Sequence, residues 1–322
     1  MAEGTSQDPS IHPIGRGSSD MTSAAGRRMY MAAFDHRRSL RRALSAIGTD
    51  VGPAHINELK LIVWHGLKQA RPRVAGDAEV GVLIDRGNTR IGREADAAGV
   101  RVALALEESG SDTLRPDAAA AVLRRELSAL RAGFGKVLMR WHPDDPAARK
   151  RRQLAALHEI NDIVLDSGTD LLLELLIHPG AHDGLDVSSA PPHTDSVLAG
   201  LQRAAAEEIL NSGISPALWK MDGHSNAQEA AHLDALVGSA RQDAGILILG
   251  GGSDIGGLRQ MFSCRDGNER YRGFAVGRSI WQEPILALCN RQTTQADAEA
   301  RIADNFLAVV DAFESMDRTV CA

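Results

Sequence analysis

Eight short apolar runs, each followed by a longer polar or amphipathic stretch, constrain this chain more than any other feature. They are Met29 to Phe34, Val80 to Ile84, Val102 to Leu106, Lys136 to Met139, Leu171 to Ile177, Ala217 to Met221, Ile246 to Leu249 and Phe274 to Val276. Runs this short, with little polar alternation, suit parallel strands covered by helices on both faces. The intervening stretches Asp117 to Ala132, Pro146 to Leu165, Asp195 to Leu210 and Asn226 to Ala240 repeat apolar residues at three and four, as amphipathic helices do. Gly99, Gly133, Gly168 and Gly213 stand where a left-handed C-cap would turn each helix towards the next strand. A last helix, about Gln295 to Phe313, carries Ile302, Phe306, Leu307, Val310 and Phe313 on one stripe, suited to a barrel exterior. The pattern predicts an α/β chain with a single (β/α)8 TIM barrel over residues 28–322, a doubly wound open sheet being the other arrangement that fits. Residues 1–27, rich in Gly, Ser, Pro and Asp, read as a disordered N-terminal extension.

Composition narrows the function classes. The 322 residues are 43% hydrophobic and 24% charged with a net charge of −6, which fits a soluble domain. No basic stripe with interleaved aromatics is present, so nucleic acid is not an expected partner. No run approaches the roughly 18 to 20 apolar residues needed to cross a bilayer, so no membrane association is expected. Cys264, Cys289 and Cys321 are too widely spaced for a disulfide framework or a CxxC metal knuckle, and a cytoplasmic location is expected. A homo-oligomer is compatible with the pattern, because exterior helix patches read the same as barrel-facing ones.

In a barrel, chemistry sits at the C-terminal ends of the strands. There the chain places Asp35-His36-Arg37, Asp85, Glu107-Glu108, Arg140, His178, Asp222, Gly250-Gly251-Gly252-Ser253 and Gly277-Arg278. Inside the strands stand Lys136, Glu174 and Lys220, and an ionisable group in an apolar run is costly unless paired or used. Only five of the 36 basic residues are lysines, and two of the five lie in strands. Desolvation and like-charge repulsion drive a lysine in a dry, cation-rich site towards the neutral amine, which can attack a carbonyl to form a Schiff base. Lys220 is therefore the candidate nucleophile, the structural alternative being an ion pair with Glu174 or Asp222. Lys136 has the same two readings. Two ammonium groups about 4 Å apart would repel by on the order of 4 kcal/mol at an effective dielectric near 20. Glu174, among leucines, is expected in an ion pair or as a proton carrier. Asp35, His36 and Arg37 are either ligand contacts or a polar loop entry. Gly251, Gly252, Ser253, Gly277 and Arg278 follow strands seven and eight, where barrels commonly bind phosphate. Lys60, Lys68 and Lys150 fall on helices and read as surface residues.

Three other patterns lead nowhere firm. The glycines from Gly250 to Gly256 lie in the seventh unit, not the first βα turn that a dinucleotide fold uses. Gly223-His224-Ser225 lacks a later histidine in hydrolase order, since His232 sits on the next helix. His178, His182 and His193, with Asp183 and Asp186, form one long loop that reads as a lid more readily than as a metal site.

Taken in order, the segments Met-Ala-Ala-Phe-Asp35-His36-Arg37, Lys136-Val-Leu-Met-Arg140-Trp-His-Pro143, Leu-Glu174-Leu-Leu, Leu-Trp-Lys220-Met-Asp222-Gly223 and Gly-Phe-Ala-Val-Gly277-Arg278-Ser-Ile280-Trp resemble the class I aldolase domain of inositol catabolism. That domain, a 5-dehydro-2-deoxyphosphogluconate aldolase, is often fused to 5-dehydro-2-deoxygluconokinase and is distantly similar to tagatose-bisphosphate and sulfofructose-phosphate aldolases. The resemblance spans about Met29 to Phe313. It implies a Schiff-base lyase without cofactor or metal, acting on a phosphorylated keto sugar or keto acid. It matches Lys220 to the Schiff-base lysine, Lys136 to a second strand lysine that helps bind anionic oxygens, and Glu174 to a proton-shuttling glutamate. Asp35 would hold a substrate hydroxyl, and Arg37, Arg140 and the glycines with Arg278 would bind the phosphorylated sugar. The chain differs in having Met221-Asp222-Gly223 where Ile-Glu-Gly is expected, and His178-Pro179 where a Pro-Pro turn is expected. The rival from another class is a non-catalytic phosphosugar-binding barrel that regulates a sugar kinase.

Overall fold

The computed structural model describes residues 27–36, 38–49, 51–178 and 195–316. Eight parallel strands close into a barrel in sequence order, β1 (Met29–Ala33), β2 (Glu79–Ile84), β3 (Arg101–Ala105), β4 (Phe134–Trp141), β5 (Asp170–Ile177), β6 (Leu218–Asp222), β7 (Gly245–Leu249) and β8 (Tyr271–Val276). The outer ring consists of α1 (Arg38–Ala46), α2 (Pro53–Ala70), α3 (Thr89–Ala97), α4 (Ala120–Ala129), α5 (Ala147–Asp166), α6 (Asp195–Asn211), α7 (Ala227–Ala240), α8 (Ile255–Phe262), α9 (Arg278–Cys289) and α10 (Gln295–Glu314). The chain is a (β/α)8 barrel, and each predicted apolar run became a strand. The proposed extension lies almost wholly outside the described residues. No helix among the described residues is long and apolar enough to cross a membrane.

Two separate cores follow from strands buried on both faces. Met29, Met31, Ala33, Leu83, Ala103, Leu172, Leu218, Leu247 and Ala275 fill the barrel interior. A larger shell lies between strands and helices, where Phe274 stacks on Tyr30 at 5.1 Å and Phe313 of α10 meets Phe262 edge-on at 5.2 Å. Burying aromatic side chains of this size contributes on the order of 2 kcal/mol each. On α10, Ile302, Phe306, Val310 and Phe313 are buried and Leu307 is packed at their margin, as the stripe predicted.

Two local expectations need correction. At the end of α4 the left-handed residue is Arg131 (φ 45°), not Gly133, whereas Gly99, Gly168 and Gly213 do take positive φ. Arg131 accepts that conformation while its side chain holds Asp96. Lys60 is not on the surface either. It is 1% exposed, on the buried stripe of α2, and forms an ion pair with Asp85, itself 2% exposed. Asp85 Oδ1 also accepts from the Gly87 backbone N–H at 2.9 Å and from Asn88 Nδ2 at 2.7 Å, so this carboxylate fixes the turn after β2. Lys68 is exposed, and Lys150 is partly buried over Trp141 and paired with Glu208.

Candidate active site

Period-two alternation carries several strands from apolar to ionisable as they near their C-terminal ends. Ala33 is followed two residues on by Asp35, Ala105 by Glu107, Leu172 by Glu174, and Leu218 by Lys220 and then Asp222. Backbone register sets Glu174 beside Leu138 of β4 and beside Lys220 of β6, and sets Lys136 beside Ala105 and Leu172. The ionisable layer thus sits directly on the apolar floor. Above it opens a cavity of about 390 Å³, lined by these groups, by Asp85, His36 and Arg140, by residues 107–111, and by Gly250, Gly251, Gly252, Gly277 and Arg278.

At the base of the cavity, two lysines and three carboxylates form one network. Lys136, 1% exposed, donates to Asp35 Oδ2 at 2.9 Å, Glu107 Oε1 at 2.7 Å and Glu174 Oε2 at 2.8 Å. Lys220, 3% exposed, donates to the other oxygen of Glu174, Oε1, at 2.7 Å. Glu174 therefore bridges the two ammonium groups, and the repulsion expected between them is met by the carboxylate between them.

Burial by itself would raise the carboxyl of Glu174, yet Lys136 and Lys220 outweigh it and hold the group down at about 2. The same contest, won by Lys136, His36 and Lys220, keeps Asp35 well below the usual carboxylate range. At Glu107 burial wins over Lys136 and the pKa rises. Lys136 is raised well above its ordinary value because Asp35, Glu107 and Glu174 together overcome its desolvation. Glu174 is thus an ionised bridge near neutral pH, the ion-pair arrangement that was one of the two expected from its apolar setting.

His36 Nδ1 lies 3.5 Å from Asp35 Oδ1, and burial lowers its pKa despite that neighbour. Asp222 differs from all of these. It lines the cavity, is partly buried, and makes no ion pair among the described residues, and burial with the adjacent Glu174 charge raises it to about 6 against the pull of Lys220. Asp35 Oδ1 and Glu107 Oε2 are buried acceptors with no hydrogen-bond partner among the described residues.

The opposite wall is built for close backbone approach. Gly251 and Gly252 take φ of 57° and 93°, conformations that a side chain would disfavour. A Cβ on Gly277 would come within 2.4 Å of the Ala33 carbonyl, so glycine is required there. Gly277 caps α9 without a side-chain hydrogen bond; the Ile280 N–H turns back to the Gly277 carbonyl at 2.8 Å, the helix start carries no side-chain cap over the Arg278 and Ser279 N–H groups, and Arg278 donates to the Gly251 carbonyl. The N-terminus of α8 is instead closed by Asp254, which accepts from Gly257 N at 2.8 Å.

Not every expected residue joins the cavity. The Ser253 hydroxyl turns to Met261 Sδ at 3.8 Å, and Ser253 does not line the space. Arg37 lies outside the described residues, as do His182, His193, Asp183 and Asp186. His178 is buried with Nε2 3.0 Å from Asp145 Oδ2, an oxygen that also accepts from the His142 backbone N–H at 3.1 Å and from Arg149 Nε at 3.3 Å. Its role at the end of β5 is structural. Arg140 does line the cavity, and its backbone carbonyl is held by Gln153 Nε2 at 2.6 Å while Gln153 Oε1 accepts from Leu114 N at 2.6 Å. That glutamine ties the end of β4 to the segment after β3.

Over residues 4–317 the sequence matches the family described as uncharacterized protein conserved in bacteria (DUF2090). The chain belongs to that family. Among curated proteins none matches the sequence. A crystal structure of an archaeal fructose 1,6-bisphosphate aldolase matches this DUF2090 chain with a TM-score of 0.50 at 14% identity, covering 88% of this chain and 94% of that one. A Schiff base forming fructose-1,6-bisphosphate aldolase, analysed through its reaction intermediates, matches with a TM-score of 0.48 at 16% identity over 84% of this chain and 95% of that one. At such identity the archaeal likeness shows the barrel fold alone, and the family description names no reaction.

Sequence reasoning placed Lys136, Glu174, Lys220 and Asp35 together and named Glu107 and Asp222 at strand ends without giving them a functional role, although both line the cavity of this DUF2090 chain. The signal was present in both cases: each stands two residues after an inward-facing position, as the alternation Ala103, Ala105, Glu107 and Leu218, Lys220, Asp222 shows.

Proposed function

We propose that this protein is a class I aldolase that cleaves a phosphorylated keto compound through a Schiff base on Lys220. The observation that carries the reading is a nearly buried lysine at the cavity base, hydrogen-bonded by a carboxylate that also holds a second lysine, beneath a glycine-lined wall with an uncapped helix N-terminus and Arg278. A cavity of about 390 Å³ matches a small sugar phosphate rather than a polymer.

In this reading the substrate phosphate sits against Gly251, Gly252, Gly277 and Arg278, with Arg140 facing a second anionic group and Ser253 supporting the loop. Remote binding there places the ketone over Lys220 Nζ. An ammonium and a ketone become a protonated imine and one water with no net proton change, so only an internal relay between nitrogen and carbinol oxygen is needed. Glu174 orients Nζ through Oε1, and Lys136 fixes Glu174, Asp35 and Glu107 in place. The free oxygens of Asp35 and Glu107 accept substrate hydroxyls. The iminium then draws electrons from the scissile carbon–carbon bond, leaving an enamine that becomes the released ketone.

Within that reaction class, the resemblance to inositol-catabolism aldolases supports 2-deoxy-5-keto-gluconate 6-phosphate as substrate, giving dihydroxyacetone phosphate and malonate semialdehyde. Ketose bisphosphates and sulfofructose phosphate ask for the same groups and are the comparison substrates. Incubating each with the protein and following release of dihydroxyacetone phosphate tests the assignment. Turnover insensitive to chelators and abolished in Lys220→Met is the expected result; full turnover in folded Lys220→Met would overturn it.

A further inference from the structure

Carbon–carbon cleavage through an imine needs a group that takes the hydroxyl proton and returns one to the enamine, and most acids in this cavity are already engaged. Asp35 and Glu107 are tied to Lys136, and Glu174 is shared between Lys136 and Lys220. Asp85 is committed to Lys60, and Glu108 is exposed on the rim. Asp222 alone among the shielded carboxylates of the cavity has no ion pair among the described residues. It stands two residues beyond Lys220 on β6, so both side chains face the same side, about 7 Å apart along the strand. A substrate held on Lys220 and extending towards the rim passes its β-hydroxyl, three bonds from the imine carbon, along this stretch of β6.

We infer that Asp222 is the catalytic acid–base that exchanges the proton during bond cleavage, an assignment that rests on the Lys220 imine reading. The Asp222 carboxylate accepts the hydroxyl proton, the O–H electron pair becomes the new aldehyde C=O, and the carbon–carbon pair moves into the iminium to give the enamine. After the aldehyde leaves, the protonated Asp222 delivers the same proton to the enamine carbon, and water hydrolyses the resulting imine to the ketone. Carboxylate and lysine both return to their starting state, so no other reactant is required. Burial and the Glu174 charge hold Asp222 at about 6, where both of its forms are populated near neutral pH. Glu174 and Lys220 are the charged groups acting on it from β5 and β6. The rival base is His36, which also lines the cavity but reaches in from β1, and its pKa is lowered by burial.

The experiment uses the full chain, dihydroxyacetone phosphate and deuterium oxide. Two readouts are taken from each variant: borohydride-trapped adduct on Lys220 by mass spectrometry, and deuterium entering the hydroxymethyl carbon by NMR. Wild type should give both, with exchange rising through an acid limb near pH 6. Asp222→Asn should keep the adduct while exchange falls by about 100-fold or more and the acid limb disappears. Asp222→Glu should restore part of the exchange. Exchange within threefold of wild type in Asp222→Asn, or exchange lost in His36→Asn but kept in Asp222→Asn, would overturn the assignment while leaving the imine intact. Loss of the adduct in folded Asp222→Asn and Asp222→Glu alike would make Asp222 a ketone-binding group and overturn it too. No adduct in wild type would remove the underlying Schiff-base reading, and this inference with it.

Discussion

Replacing Lys136 by methionine tests whether the charge network is what holds the base of the cavity. The substitution keeps the volume of the side chain and removes the ammonium that three carboxylates share at 2.7 to 2.9 Å. Lys220 remains to pair with Glu174, so Asp35 and Glu107 lose the ammonium they share, and only His36 stays beside Asp35 at 3.5 Å. Two carboxylates about 5 Å apart repel by about 3 kcal/mol at an effective dielectric near 20, and breaking a buried pair by removing one partner costs about 3 to 5 kcal/mol. The loss must depend on pH. In the wild type the depressed carboxyls of Asp35 and Glu174 add stability that is present above their unfolded values and fades as pH falls. In Lys136→Met, Asp35 and Glu107 would sit above their unfolded values and take up protons, so the penalty shrinks on acidification. Denaturant unfolding followed by the four buried tryptophans should show about 3 to 5 kcal/mol lost at pH 8 and much less at pH 5. A difference under about 1 kcal/mol at pH 8, or one equal at both pH values, would refute the network as a cooperative charge cluster.

Other consequences can be measured independently. Lys60→Met should lower stability by about 3 to 5 kcal/mol by removing the ammonium paired with the buried Asp85 carboxylate, while Lys68→Met on the exposed face of the same helix stays within about 0.5 kcal/mol. Thermal unfolding of the pair side by side decides between an internal and a surface lysine. Raising Asp222 from 3.8 to about 6 costs the folded state about 3 kcal/mol above pH 6, because a raised acid stabilises only below its unfolded value and loses that contribution as pH climbs. Asp222→Asn should therefore be more stable than wild type at pH 8 and level with it near pH 4 by urea titration. Gly277→Ala places a methyl against the Ala33 carbonyl and should cost about 1 to 3 kcal/mol while weakening dihydroxyacetone phosphate binding by calorimetry.

Much of the fold was legible because apolar runs bounded by turn residues leave a parallel strand few alternatives. Helix edges were less so. The start of α4 moves from Asp117 to Ala120 because Asp117 N is drawn to the Leu106 carbonyl and Glu107 bridges Pro116, interactions made across a loop. Lys60 was misread for a similar reason. Its polar type suggested solvent, yet it falls on the stripe of Ile56, Val63 and Leu67, and only the fold shows that Asp85 waits at the end of that stripe. Within the site, Lys136, Glu174 and Lys220 stood out as charges in apolar strands. The Lys220–Glu174 pair was one of the readings left open, but the bridge on to Lys136 was not, because it depends on a β4–β5 register that sets Glu174 beside Leu138, two residues beyond Lys136 on the same face. The ionised state of Glu174 and the raised state of Asp222 follow from that three-dimensional arrangement.

The central claim is that Lys220 carries the imine. Borohydride reduction of the full-length protein with dihydroxyacetone phosphate, followed by peptide mass spectrometry, tests it most directly. The account predicts one reduced adduct, located on Lys220 and absent from Lys136, from Lys60 and from the Lys220→Met protein. An adduct located on Lys136, or folded protein that gives none at saturating dihydroxyacetone phosphate, would contradict it.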